Sequence, residues 1–172
     1  DHLQRLFRVT PELLVHDQHP DYQATRWAER QAEALGLPRL AVQHHHAHLA
    51  ACLADHGCAP STRAIGVTFD GTGYGPDGVI WGGEILVGDY AESRRALHLR
   101  ECPLPGGDAA ARHPWRTALA WLREMDHPWD ADLPVVAAAS EQERSVLAAQ
   151  LARGINTPRT TSMGRLFDAA AA

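Results

Sequence analysis

Residues 63–90, RAIGVTFDGTGYGPDGVIWGGEILVGDY, leave the chain few local alternatives. Two runs rich in β-branched and apolar residues, 63–69 and 78–90, flank a stretch with glycine at 71, 73, 75 and 78. Such runs favour extended backbone and glycine permits the reversal between them, so the spacing predicts an antiparallel pair. The run RRALHLREC at 94–102 follows the short turn YAES and adds a third strand, making a meander.

Around the meander the apolar spacing turns helical. Asp21 stands where it caps a helix through YQATRWAERQAEAL, with Trp27, Ala28, Gln31 and Leu35 at helical spacing and Gly36 at the stop. RLAVQ at 39–43 reads as a short strand, and HHHAHLAACLADH at 44–56 as a helix ended by Gly57. Downstream, Pro114 opens a helix WRTALAWLREM whose Trp115, Leu119 and Leu122 share a face. Ser140 and Glu143 form a capping box for a helix running to Arg153, with Gly154 as its stop. INTPRTTSMGRLFDAA reads as a loop feeding a last helix. The expected class is α/β (α+β), a three-stranded antiparallel meander followed by helices.

With 45% hydrophobic residues in 172, the chain can bury a core, and no repeat or break in composition marks a second domain. The net charge of -5 has no basic stripe to track a phosphate backbone, so no nucleic acid partner is expected. Cys52, Cys58 and Cys102 form no CxxC, which argues against a thiolate zinc site or a disulfide framework, and burial is expected for each. No apolar run approaches the roughly 20 residues that span a bilayer, and DHLQRLFRVT does not read as a signal peptide. A cytoplasmic setting is expected. MGRLFDAAAA stops inside a helix just begun, as a fragment of a longer chain would.

VQHHHAHLAAC at 42–52 sets four histidines into five positions of an apolar run. On a helix, residues four apart share a face, so His44 and His48 can address one ion, and His45 with His48 are neighbours too. Spacing leaves both pairs open. A zinc peptidase needs glutamate directly after the first histidine, where this chain has His45. With no thiolate pattern, the remaining ligands are oxygens or imidazoles, which suits iron, zinc, manganese or magnesium. Asp70, a carboxylate ending an apolar strand, is the best third ligand. The other reading is polar packing at a strand-to-helix junction.

Glycines so dense after Asp70 let backbone N–H groups converge on an anion such as a phosphate, although a long hairpin is the plainer reading. The stretch matches neither GxxxxGK[ST] nor the Rossmann fingerprint. Three antiparallel strands followed by a helix, with an Asp–Gly turn after the first strand, resemble the opening half of the actin/sugar-kinase/Hsp70-type (ASKHA) nucleotide-binding fold. His16, Asp17 and His19 read as turn-stabilising rather than ligating. Arg112, His113 and Arg116 face either an anion or solvent. Gly164 lies at a loop-to-helix junction, and Asp168, one turn on, faces either a site or solvent.

As a set, HDQHPDY (16–22), VQHHHAHLAA (42–51), GVTFDGTGYGPDGVIWGGEILVGDY (66–90), CPLPGGDAAARHPWR (102–116) and SMGRLFDA (162–169) resemble the HypF carbamoyltransferases of [NiFe]-hydrogenase maturation. The resemblance lies in the domain that family shares with the tRNA-modifying TsaD proteins. It covers nearly the whole chain. It implies that carbamoyl phosphate is hydrolysed in another domain, that the carbamate reacts here with ATP to give carbamoyl adenylate and pyrophosphate, and that the carbamoyl group passes to the C-terminal cysteine of HypE.

Carried over residue by residue, the resemblance selects His44 with His48, together with Asp70, as ligands of a divalent iron, zinc or magnesium ion, and makes Asp70 the catalytic carboxylate. It lines the phosphates with Gly71, Thr72, Gly73, Gly75 and Gly164. His45 and His46 become supporting or packing residues. The implied organisation is one partial TsaD-like domain, an N-terminal segment 1–62 with the histidine cluster and a first ASKHA lobe 63–172. The family's later aspartate and second lobe have no counterpart here, so the fragment alone is expected to be inactive. The alternatives are a TsaD-like tRNA threonylcarbamoyl transferase and a non-catalytic histidine-rich metal-binding module.

Overall fold

The computed structural model describes residues 2–172. Helix α1 (His2–Phe7) leads to strand β1 (Leu14–Asp17), helix α2 (Gln23–Leu35), strand β2 (Arg39–Val42) and helix α3 (His44–Asp55). β1 and β2 form a parallel pair in which Asp17 lies opposite Val42. The sequence reading missed α1 and β1, whose pairing partner is 25 residues away in register. Gly36 ends α2 in the left-handed conformation, as expected. Two details differ. Tyr22, not Asp21, occupies the N-cap, while the Asp21 carboxylate is drawn away into an ion pair with Arg26. The buried face of α2 is Thr25, Ala28 and Ala32, and Trp27 and Leu35 stay exposed.

Strands β3 (Ala64–Tyr74), β4 (Ile80–Gly88) and β5 (Ser93–His98) pair in antiparallel succession. β3 is longer than its apolar run. It continues through the glycines to Tyr74, and its register against β4 shifts between Phe69 and Gly73, so Asp70, Gly71 and Thr72 form a bulge. The expected loop is therefore mostly strand, and the reversal is confined to 75–79, where Gly75 N–H bonds the Val79 carbonyl at 3.1 Å and Gly78 takes φ 81°. β5 stops at His98. Cys102–Pro103 is a separate short strand, β6, which pairs with β7 (Arg159–Thr160) in what reads from sequence as a loop, and β7 pairs in parallel with β4.

Between β6 and β7 lie α4 (Asp108–Arg112), α5 (Trp115–Glu124), α6 (Pro134–Ala137) and α7 (Glu141–Arg153), and α8 (Met163–Ala171) follows. Leu119, Val136 and Leu147 are fully buried together, with Trp115 and Leu122 against them. Truncating such a leucine to alanine costs about 2–5 kcal/mol. The Ser140–Glu143 capping box forms. A second core of Leu49, Leu53, Trp81 and Leu86 joins α3 to the sheet, and α8 packs on α5 and β3. Among the described residues no helix is long and apolar enough to cross a membrane.

Candidate metal centre

The site is made where the start of α3 meets the bulge of β3. Gln43 caps α3: its Oε1 accepts from His46 N–H at 2.9 Å, and its Nε2 donates to the Tyr74 carbonyl at 3.1 Å. One side chain thus fixes the first turn of the helix against the end of the strand. His44 Nε2 then lies 2.9 Å from Asp70 Oδ2, His48 Nε2 lies 3.2 Å from His44 Nε2, and His48 Nε2 lies 3.6 Å from Asp70 Oδ2. Ligand atoms of His44, His48 and Asp70 all fall within 4.8 Å of one another.

The chemistry of this donor set fits a cation. His44 Nδ1 also stands 2.8 Å from Asp17 Oδ2. A neutral imidazole carries one N–H, so giving it to Asp17 leaves the Nε2 lone pair facing Asp70 and His48. With the His48 proton on Nδ1, three electron-rich atoms converge, a set that suits a cation. A carboxylate on the far nitrogen is the usual means of orienting a metal-bound histidine. Asp17 was read from sequence as a turn residue. Its proximity depends on the β1–β2 pairing, which sets it two residues from His44 in space.

Burial alone would raise the Asp70 carboxyl, but the N–H groups of Gly71 and Thr72 and the His44 ring outweigh it and hold the group below its ordinary value. The Gly71 N–H bond is 2.6 Å long. In this structure those two N–H groups thus serve Asp70 itself. A β-carbon on Gly73 would stand 2.4 Å from the His45 ring and 3.1 Å from that of His44, and one on Gly75 would meet Trp81 at 2.3 Å. One on Gly164 would stand 2.9 Å from Gly71 Cα. These glycines let rings and backbone approach one another closely.

The remaining candidates do not join the triad's ligand atoms. His45 is fully buried beside Trp81, and burial lowers its pKa to about 4. His46 Nε2 lies 2.8 Å from the Asp89 carbonyl, and His16 Nδ1 lies 2.8 Å from the Asp17 carbonyl. His19 stacks on Tyr22. Arg112 is exposed, Arg116 binds the Pro105 carbonyl and Gln150, and Asp168 pairs with Arg165 at 3.0 Å. Of the cysteines only Cys102 is fully buried, which pushes its thiol up to about 12. Cys52, expected inside, is exposed on α3.

Two family models account for nearly all of these elements: "HypF Kae1-like domain" matches residues 1–55, and "Carbamoyltransferase, Kae1-like Domain, second subdomain" matches residues 66–172. The chain belongs to the HypF carbamoyltransferase family. Carbamoyltransferase HypF2 of Cupriavidus necator is 48% identical over 172 residues, which is 99% of this chain and 20% of that protein. Carbamoyltransferase HypF of Rhodobacter capsulatus is 46% identical over 97% of this chain and 22% of its own length. A crystal structure of full-length HypF in a phosphate- and nucleotide-bound form is 41% identical and superposes with a TM-score of 0.86, covering 98% of this chain and 21% of that one. HypF of T. kodakarensis superposes at 0.81 with 36% identity. The chain thus spans about a fifth of the length of these HypF relatives.

Proposed function

We propose that this chain is the ATP-handling part of a HypF-type carbamoyltransferase. In this reading carbamate derived from carbamoyl phosphate attacks the α-phosphorus of ATP, giving carbamoyl adenylate and pyrophosphate, and the carbamoyl group then passes to the C-terminal cysteine thiolate of HypE. The observation that carries it is the convergence of His44 and His48, one turn apart on α3, with Asp70 from the bulge of β3. A HypF relative whose solved form is described as phosphate- and nucleotide-bound supports the nucleotide. The antiparallel meander followed by helices supports an ASKHA-type first lobe at 63–172, and the two family models, which meet between 55 and 66, support a separate segment at 1–62.

His44, His48 and Asp70 would hold a divalent ion, iron, zinc or magnesium. When bound, the ion supplies positive charge where two anions, carbamate and triphosphate, are brought together. The residues of the chain supply the rest. Asp17 holds the His44 ring by its far nitrogen, and Gly71 and Thr72 keep Asp70 ionised. In this reading Gly71, Thr72, Gly73, Gly75 and Gly164 stand on the phosphate side of the ion. The setting is cytoplasmic, and neither membrane nor nucleic acid takes part.

In the full-length protein, His44→Ala, His48→Ala and Asp70→Asn are each expected to lower carbamoyl-phosphate-dependent pyrophosphate release by about a hundredfold or more, roughly 3 kcal/mol of barrier. Wild-type release in all three variants would remove the triad from the reaction. Binding of ATP by the wild-type protein separates this reading from a metal-binding module without catalysis.

A further inference from the structure

The reaction as proposed leaves the motif WGGE at 81–84 unused, yet its glutamate is one of the most deeply buried groups among the described residues. Glu84 has no exposed surface and satisfies its charge locally. Its Oε1 accepts from Gly82 N–H at 3.1 Å, from Gly83 N–H at 3.2 Å and from the Thr161 hydroxyl, and its Oε2 accepts from Arg95 Nε at 2.5 Å. Arg95 lies over the Trp81 ring, 4.1 Å from its centroid. Burying a carboxylate so completely is costly unless every lone pair is engaged, so this network is held in one arrangement.

Its far end is the bulge that carries Asp70. Thr161 N–H and the Thr160 hydroxyl both bond the Ile80 carbonyl at 2.9 Å, and Ser162 N–H bonds the Thr160 hydroxyl at 3.0 Å. Thr160 and Thr161 are therefore held to β4, and Ser162 is held through Thr160. From there the Ser162 hydroxyl shares its hydrogen between the carbonyls of Asp70, at 3.0 Å, and Gly71, at 2.8 Å, while its oxygen accepts from Arg165 N–H at 3.1 Å and so caps α8. Asp70 and Gly71 lie within the register shift and have no register partner on β4. Gly82 and Gly83 make room for the clamp, because β-carbons there would stand 2.5 Å from the carbonyls of Asp70 and Thr161.

We propose that Ser162 and Glu84 are positioning residues for Asp70: Glu84 fixes the Thr161–Ser162 segment, and the Ser162 hydroxyl fixes the bulge so that the Asp70 carboxylate stands at His44 and His48. The proposal rests on the reading of Asp70 as a metal ligand. It gives WGGE and TTS, far apart in sequence, one joint task.

The test is zinc affinity of the full-length protein, titrated with zinc alone. Ser162→Ala is expected to weaken binding about tenfold or more, the usual loss when an outer support of a ligand is removed. Ser162→Thr, which keeps the hydroxyl, is expected to restore it. Glu84→Gln is expected to weaken binding as well, and provides a second arm if Ser162→Ala does not fold. Ser140→Ala removes a comparable helix cap remote from the bulge, so it is expected to lose stability and keep its zinc. Wild-type affinity in folded Ser162→Ala and Glu84→Gln would overturn the proposal. If His44→Ala, His48→Ala and Asp70→Asn lose zinc in the same experiment, the failure belongs to the clamp alone; if they too bind normally, the metal reading falls and the clamp with it.

Discussion

A histidine with no exposed surface resists protonation, and His45 shows the consequence. Its pKa is lowered from 6.5 to about 4, first by burial, against which the charge of Glu84 acts only partly. The unfolded chain takes up this proton below its ordinary value, whereas the folded chain takes it up only near 4. Between these values the unfolded state binds more protons, so stability falls as pH falls through the window. The full loss from this one group is roughly 3 kcal/mol. Asp70 and Glu84 act lower: both are depressed below the ordinary carboxylate range, so what they contribute is lost only as pH drops beneath it. Urea midpoints at pH 7 and pH 5 are expected to differ in the wild type and to differ much less in His45→Gln. An unchanged difference would mean that other groups carry the acid sensitivity.

Elements differ in how far their own residues determine them. The box at α7 is local: Glu143 N–H bonds Ser140 Oγ at 3.3 Å and Ser140 N–H bonds Glu143 Oε2 at 2.8 Å, and both partners lie within one turn of sequence. Ser140→Ala is expected to cost about 1 kcal/mol, read as a lower urea midpoint. Gly36 and Gly154 as stops, and the Trp115–Leu119–Leu122 face, were legible for the same reason. The glycine stretch was not. Four glycines read locally as a loop, but Gly73 is bare because the His45 ring lies against it, and Gly75 because Trp81 does, so β3 runs on. The triad falls between these cases. His44 and His48 are a helical pair that spacing proposes, with family resemblance choosing it over His45 and His48. Asp17 and Ser162 touch the site only through strand pairing and a return of the chain from residues 160–162, which no local pattern encodes.

For the whole molecule, the sheet is covered unevenly. α3 and α8 pack on β3 and β4, with Leu49 pressed against Gly66. On the alternate positions of β3, Ile65, Val67 and Phe69 are exposed, as is Leu97 of β5, and in register they lie beside Ile85 and Val87 of β4. β3 is also an edge strand, paired only with β4 among the described residues. An apolar face joined to an open edge is the usual template for pairing between chains. The 172 residues by themselves are therefore expected to self-associate in a concentration-dependent way. Val67, in the middle of the exposed row and opposite Ile85, is the place to test this, since lysine there points outward and leaves the backbone pairing with β4 intact. Val67→Lys is expected to weaken self-association by about tenfold or more, with little loss of helix or sheet signal. Light scattering behind size-exclusion chromatography over a range of concentrations measures it. A wild-type chain that stays monomeric throughout that range, or a variant that associates as strongly, would show that this face does not drive association.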